Sequence, residues 1–186
     1  NVGLSRASGL PDDTFAHDGQ ITKRPVRALT LSALAPRPND LLWDIGAGSG
    51  SIAVEWCLAG GRAIALEQKQ SRVQNIARNI DAFGLSHKMR VICCDAMESL
   101  PDQDLPDAVF VGGGGTQALF DQLFDLPAGT RLVANGVTLE TESLLTTLHA
   151  TKGGSLMRIE LAQATALGSM RGWQPARAIV QWSVTL

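Results

Sequence analysis

From Asp40 onward the chain alternates two patterns. Short apolar runs at 41–45, 62–67, 88–93, 106–111 and 129–134 read as strands, with 106–111 buried on both faces. Between them, 52–59, 71–83, 116–124 and 139–149 repeat apolar residues at helical spacing, and 96–100 makes a short turn. Gly84 stands where a helix C-cap is expected. Ahead of this series, Lys23 to Leu34 carries a helical face of Val26, Leu29, Thr30, Ala33 and Leu34, stopped by Pro36 and Pro38. The tail adds β segments at 154–163 and 174–184, joined by 164–173 without a helical pattern, so one of them pairs antiparallel. Strands alternating with helices predict an α/β fold: a seven-stranded, mostly parallel sheet with helices on both faces and one antiparallel edge strand.

The junction after the first strand carries the most chemistry. Trp43-Asp44-Ile45 runs into Gly46-Ala47-Gly48-Ser49-Gly50-Ser51, and a helix follows at once. Strand, glycine turn and helix N-terminus make a nucleotide-shaped cradle, because glycines let backbone N–H groups approach a ligand closely. The spacing departs from the dinucleotide pattern G-x-G-x-x-G, since Ser51 takes the sixth position. Asp44 decides further. A carboxylate two residues before the first glycine repels a pyrophosphate and suits positive charge, such as the ammonium and sulfonium of S-adenosylmethionine. Glu67, at the end of the next strand, sits where an acid accepts hydrogen bonds from ribose hydroxyls. Asp95 and Ala96 follow the third strand, at the place for adenine, with Asp95 equally suited to cap the turn behind it. This set on a Rossmann-like sheet resembles the class I S-adenosylmethionine-dependent methyltransferase architecture, which predicts ligand lying where strand order reverses.

Gly112-Gly113-Gly114-Gly115 follows the fourth strand and leaves backbone bare for a ligand or room for a large flat one. Enzymes that methylate the amino group of adenine carry an Asn/Asp-Pro-Pro-aromatic grip at this place. The grip is absent and the chain has no Tyr, so amine methylation of a base is disfavoured.

The 186 residues, 45% hydrophobic and 18% charged, predict a single soluble domain over 1–186. No apolar run approaches the roughly 20 residues of a membrane span, and no secretory signal is visible. Cys57, Cys93 and Cys94 lie in apolar segments without metal-ligand spacing, predicting buried reduced thiols in a cytoplasmic protein and no metal site. His17, His87 and His149 stand away from the strand ends where chemistry is expected. Trp43, Trp56 and Trp182 read as core, with Trp173 the exception. The net charge of −2 is uneven: residues 41–150 carry −6 and the two flanks together +4. Flanks that form an acceptor pocket would favour an anionic substrate, and nothing resembles a nucleic-acid stripe.

Gly9-Leu10-Pro11-Asp12-Asp13-x-Phe15, Ile21-Thr22-Lys23-x-x-Val26-Arg27, the Asp44–Gly50 cradle and Val137-Thr138-Leu139-Glu140-Thr141 resemble the cobalamin-pathway precorrin methyltransferase/decarboxylase family over nearly the whole chain. The resemblance implies S-adenosylmethionine as cofactor, methylation of carbon 15 of a reduced precorrin-6, and loss of CO2 from the ring C acetate. It implies cofactor contacts at Thr22, Gly46 through Gly50, Glu67 and Ala96, with Gly112 and Gly113 in the matching glycine turn. It further implies a homo-oligomer, a tetramer among the forms, and a domain that can be the C-terminal part of a longer fused protein. The segment Ser169 to Pro175 departs from the family pattern, leaving open which substrate groups it touches. A precorrin carries many carboxylates, for which Lys23, Arg27, Arg171 and Arg177 are the candidate cations. Its macrocycle is electron-rich and accepts the electrons of decarboxylation, so no single indispensable base is expected; Lys23 and Glu140 are the candidates for proton handling. The alternative is a class I methyltransferase acting on tRNA or protein, which would need a broader basic face or an oligomer groove. A donor-sensing protein without enzymatic activity is the third reading, set against it by the open glycine side.

Overall fold

A computed structural model describes residues 3, 5, 7–100 and 103–186. A short 3-10 turn at Asp12–Thr14 precedes α1 (Arg24–Leu34). Then β1 (Leu41–Ile45), α2 (Ser51–Leu58), β2 (Arg62–Glu67), α3 (Gln70–Ala82), β3 (Met89–Cys93), α4 (Ala96–Ser99), β4 (Ala108–Val111), α5 (Gln117–Leu123), β5 (Arg131–Gly136) and α6 (Leu139–Lys152) follow in strict alternation. The tail holds β6 (Ser155–Ile159), β7 (Ala162–Leu167), β8 (Met170–Pro175) and β9 (Ile179–Thr185).

Seven strands form one sheet in the order β3-β2-β1-β4-β5-β9-β6. The five from β1 to β5 pair in parallel, and β9 runs antiparallel to both its neighbours. The reversed strand is therefore one place in from the edge, and β6 takes the edge itself. Burial explains the order: β9 buries Val180, Gln181 and Trp182, whereas β6 buries Ile159 alone and tolerates solvent.

Side-chain alternation divides the core between two faces. Leu42, Ala63, Ala65, Phe110 and Val133 pack with α1, α2 and α3. Trp43, Ile45, Ile64, Leu66, Val109, Val111 and Leu132 pack with α5, α6 and Trp182. Strand order reverses between β1 and β4, so the crossovers leave in opposite directions and a crevice opens above their carboxyl ends.

The segment 164–173, expected as a linker, is instead most of a two-stranded hairpin, β7 with β8. Leu167 faces Met170 across Gly168-Ser169, and Gly168 has φ +59°, the two-residue turn that a glycine allows. Leu167, Met170 and Trp173 are exposed on it, Trp173 to 77%. The other three tryptophans are core. The thiols also divide. Cys57 is buried, and burial pushes its thiol up to about 12. Cys94 is half-buried, and Cys93 is exposed at the carboxyl end of β3. No helix among the described residues is long and apolar enough to cross a membrane.

Candidate active site

A cleft of about 360 Å³ opens above the carboxyl ends of β1 to β4. Its walls come from successive strand ends: Gly46 after β1, Glu67 to Lys69 after β2, Cys94 to Met97 after β3, and Gly113, Gly114 and Thr116 after β4. Arg72 of α3 and Leu119 of α5 complete it.

Glu67 is buried, and its carboxylate accepts hydrogen bonds from the backbone N–H of Gly48 (2.9 Å) and of Lys69 (3.0 Å). The acid thereby locks the glycine turn to the end of β2, and its remaining lone pairs stay available to hydroxyl donors. Asp95 caps α4 by accepting from Met97 N at 2.9 Å, and it also takes Gln68 Nε2 at 2.8 Å. Asp95 thus caps α4 as expected, and it does so from the cleft wall.

Asp44 shares its strand face with Leu42, so it points down toward α2 rather than across the cleft. Its Oδ2 accepts from Ala53 N at 3.2 Å, while Oδ1 is buried without a partner among the described residues. Burial, seconded by the nearby Glu67 charge, pushes its carboxyl up to about 7. Ser49 Oγ is a second orphan in the same turn.

The glycines divide by task. Gly46, Gly48 and Gly50 all have positive φ, and a Cβ on Gly46 would stand 2.6 Å from Gly113 O. The β1 and β4 turns are thus in backbone contact, which no other residue permits. Gly46 opens onto the cleft; Ala47, Gly48, Ser49 and Gly50 shape the turn behind it. Gly112, expected at the cofactor, instead packs against the Phe110 ring and Gly46 O and does not line the cleft. Gly113 and Gly114 have open space where a Cβ would be, as a bare wall requires. Gly114 belongs to the glycine run expected to face a ligand, whereas Gln68, Lys69, Arg72 and Met97 stand outside the sequence reading; adjacency to the acids at strand ends is the signal that could have found most of them.

The cations fare differently. Arg27 is 0% exposed, so it is not a substrate contact. Its Nε meets Glu55 at 2.6 Å, one terminal nitrogen meets Asp12 at 3.1 Å and the carbonyl of Thr22, and the other reaches the carbonyl of Leu10. The guanidinium also lies over the Phe15 ring. Lys23 is the N-cap residue of α1, largely exposed and 3.8 Å from Asp12. Thr22 is half-buried, its carbonyl taken by Arg27. Arg171 is exposed on the hairpin, Arg177 on the loop after it, and Glu140 in the first turn of α6. None of these, nor any histidine, lines the cleft among the described residues.

This sheet order, with a glycine-walled cleft at its reversal, is the fold of class I S-adenosylmethionine-dependent methyltransferases. The chain belongs to the precorrin methyltransferase domain family, whose pattern matches residues 13–186. A curated relative from Sinorhizobium sp, precorrin-6Y C(5,15)-methyltransferase [decarboxylating], is 49% identical over 98% of this chain and 45% of its own length. The chain therefore spans about half the length of such relatives. A shorter relative from Pyrobaculum aerophilum, named probable cobalt-precorrin-6B C(15)-methyltransferase (decarboxylating), is 35% identical, with 72% of each chain covered. The crystal structure of the C-terminal domain of precorrin-6Y C5,15-methyltransferase from Rhodobacter capsulatus superposes with TM-score 0.97 at 59% identity, covering 98% of this chain and all of that one.

Proposed function

We propose that this chain is one S-adenosylmethionine-dependent C-methyltransferase domain, working in the cytoplasm, that methylates carbon 15 of a reduced precorrin-6 and releases CO2 from its ring C acetate. The observation that carries the reading is the cleft itself, in which acids at successive strand ends face a wall of bare glycine backbone. Names borne by the relatives narrow the substrate: a C(15) activity is attached to the Pyrobaculum protein, which this chain matches over most of its length.

The residues fit the donor. Glu67 offers lone pairs to ribose hydroxyls, and Asp95 with Ala96 and Met97 borders a slot for the base. Asp44, its Oδ1 an orphan and its carboxyl pushed up to about 7, supplies negative charge beneath the turn for a cationic tail once it is ionised. S-adenosylmethionine brings an electrophilic methyl group on sulfonium sulfur. The chain's share of the work is alignment, which can lower a barrier by roughly 7–11 kcal/mol. Gly113 and Gly114 leave a flat acceptor free to approach. No buried base need touch the acceptor, because the conjugated macrocycle is its own electron sink. Lys23 and Glu140, both exposed, remain the residues to test for proton handling, and Lys23, Arg171 and Arg177 those for substrate carboxylates. A homo-oligomer belongs to the same reading, with the apolar tip of the β7–β8 hairpin as its contact surface.

Incubation with S-adenosylmethionine and a reduced precorrin-6 tests the proposal. Mass spectrometry should show the gain of one methyl group and the loss of one CO2. Methylation of tRNA with an untouched tetrapyrrole would replace this reading with the alternative. Calorimetry in which NAD binds and S-adenosylhomocysteine does not would remove the donor as well.

A further inference from the structure

Resting on the donor reading above, we infer that Asn79 is a positioning residue for the donor site, latching an N-terminal strap to the glycine turn. Residues 9–22 cross the face formed by α1, α2 and α3. Arg27 holds the strap at both ends, through the carbonyls of Leu10 and Thr22. Glu55, paired with Arg27, accepts from Gly9 N (2.6 Å) and Leu10 N (2.9 Å).

Asn79 holds the middle. Its Oδ1 accepts from Ala16 N at 2.7 Å, and its Nδ2 donates to Ala16 O at 3.0 Å and to Ser49 O at 2.9 Å. It is 2% exposed and uses both donors as well as its acceptor. Among the described residues, Asn79 is the side chain that bonds to the strap and to the glycine turn at once. Beyond Ala16 the strap advances toward the cleft. Asp18 pairs with Arg72, which shares a face of α3 with Ile76 and Asn79 and lines the cleft. Gln20 O then lies 3.4 Å from where a Cβ on Gly48 would stand.

The turn needs such a latch. Three glycines at positive φ give it the shape a ligand requires, yet glycine loses more conformational freedom on ordering than any other residue. Glu67 fixes the turn from the β2 side through Gly48 N. Asn79 fixes it from the α3 side through Ser49 O, so a ligand meets a turn already ordered. A substitution here therefore weakens donor binding itself, over and above any loss of stability.

The test is calorimetric titration of S-adenosylhomocysteine into the wild type, Asn79→Ala, Asn79→Asp and Leu148→Ala, with thermal denaturation of each. Leu148 is a buried residue of α6 on the other face of the sheet and calibrates a purely structural loss. Both Asn79 variants should raise the dissociation constant about tenfold or more, because buried backbone acceptors lose their donor. Asn79→Asp should be at least as severe, since it sets a carboxylate against two carbonyls. Leu148→Ala should melt earlier and bind as the wild type does. Asn79 variants that melt earlier but bind within twofold of wild type would overturn the inference, as would Leu148→Ala matching them. Amide hydrogen exchange on the wild type supplies a test that needs no variant. The ligand should slow exchange across 16–22 and 48–51 together, and slowing confined to 48–51 would equally overturn the latch. A wild type that binds no S-adenosylhomocysteine removes the donor reading itself, and the latch with it.

Discussion

The cleft end of the sheet and its tail end have solved opposite problems. Around β1 and β2 most polar groups are turned inward and bonded, Asp44 Oδ1 and Ser49 Oγ excepted: Glu67 to the glycine turn, Glu55 to Arg27, Asn79 to the strap. Around β7 and β8 the apolar groups are turned outward, with Leu167, Met170 and Trp173 exposed on a hairpin outside the main sheet. The first region has the character of a preorganised site, rigid because buried polar groups are costly unless satisfied. The second exposes Leu167 and Met170 on one face of the hairpin and Trp173 on the other, and we propose it as a surface of association.

Breaking the buried ion pair should separate the regions most. Arg27→Ala leaves the Glu55 carboxylate uncompensated beneath the strap and should cost about 3–5 kcal/mol in chemical denaturation. Arg171→Ala on the hairpin should stay within roughly 0.5 kcal/mol of wild type. Equal effects would dissolve the contrast. Gly46→Ala comes next. It places a side chain on a residue at φ +67° and against Gly113 O, so it should lose about 1–2 kcal/mol of stability through backbone strain alone. Titration should also find S-adenosylhomocysteine binding abolished, because the β1 and β4 turns are forced apart.

Asp44 gives the pH test. Burial pushes its carboxyl up from the ordinary 3.8 to about 7 in the folded protein. Between those values the folded protein keeps a proton that the unfolded chain has lost. Raising the pH through that window therefore favours unfolding of the ligand-free protein. A cationic ligand prefers the carboxylate, so donor affinity should rise with pH up to and through about 7. Asp44→Asn should flatten both slopes, as melting curves and titrations at several pH values would reveal; slopes that survive assign the titration to another group. The smallest effect belongs to the hairpin. Trp173→Ser should change the unfolding free energy of the monomer by less than about 0.5 kcal/mol and leave donor binding intact, while shifting the association state seen by ultracentrifugation.

How much of this was legible along the chain follows from distance in sequence. The β1 strand, its acid and the glycine turn occupy adjacent positions, so local rules suffice to read them. Arg27 was not legible as an interior group. Its partners Glu55, Asp12 and the Leu10 carbonyl belong to other segments, and only the strap lying across α1 removes it from water. Gly112 and Gly113 are identical letters, yet Phe110 and Gly46 fill the space over one and leave the other open. The hairpin hid for a different reason. Both its faces are largely exposed, so no alternation of apolar and polar residues announces strands, and Gly168-Ser169 was its one local sign.

Alternation of strand and helix, the acids at strand ends and the glycine turn can be read along the chain, because each depends on neighbours within a few residues. Tertiary structure alone decided which cations face solvent, that β9 enters between β5 and β6, and that Asn79 joins strap to turn. Those outcomes depend on burial, and burial is set by segments that meet only once the chain has closed on itself.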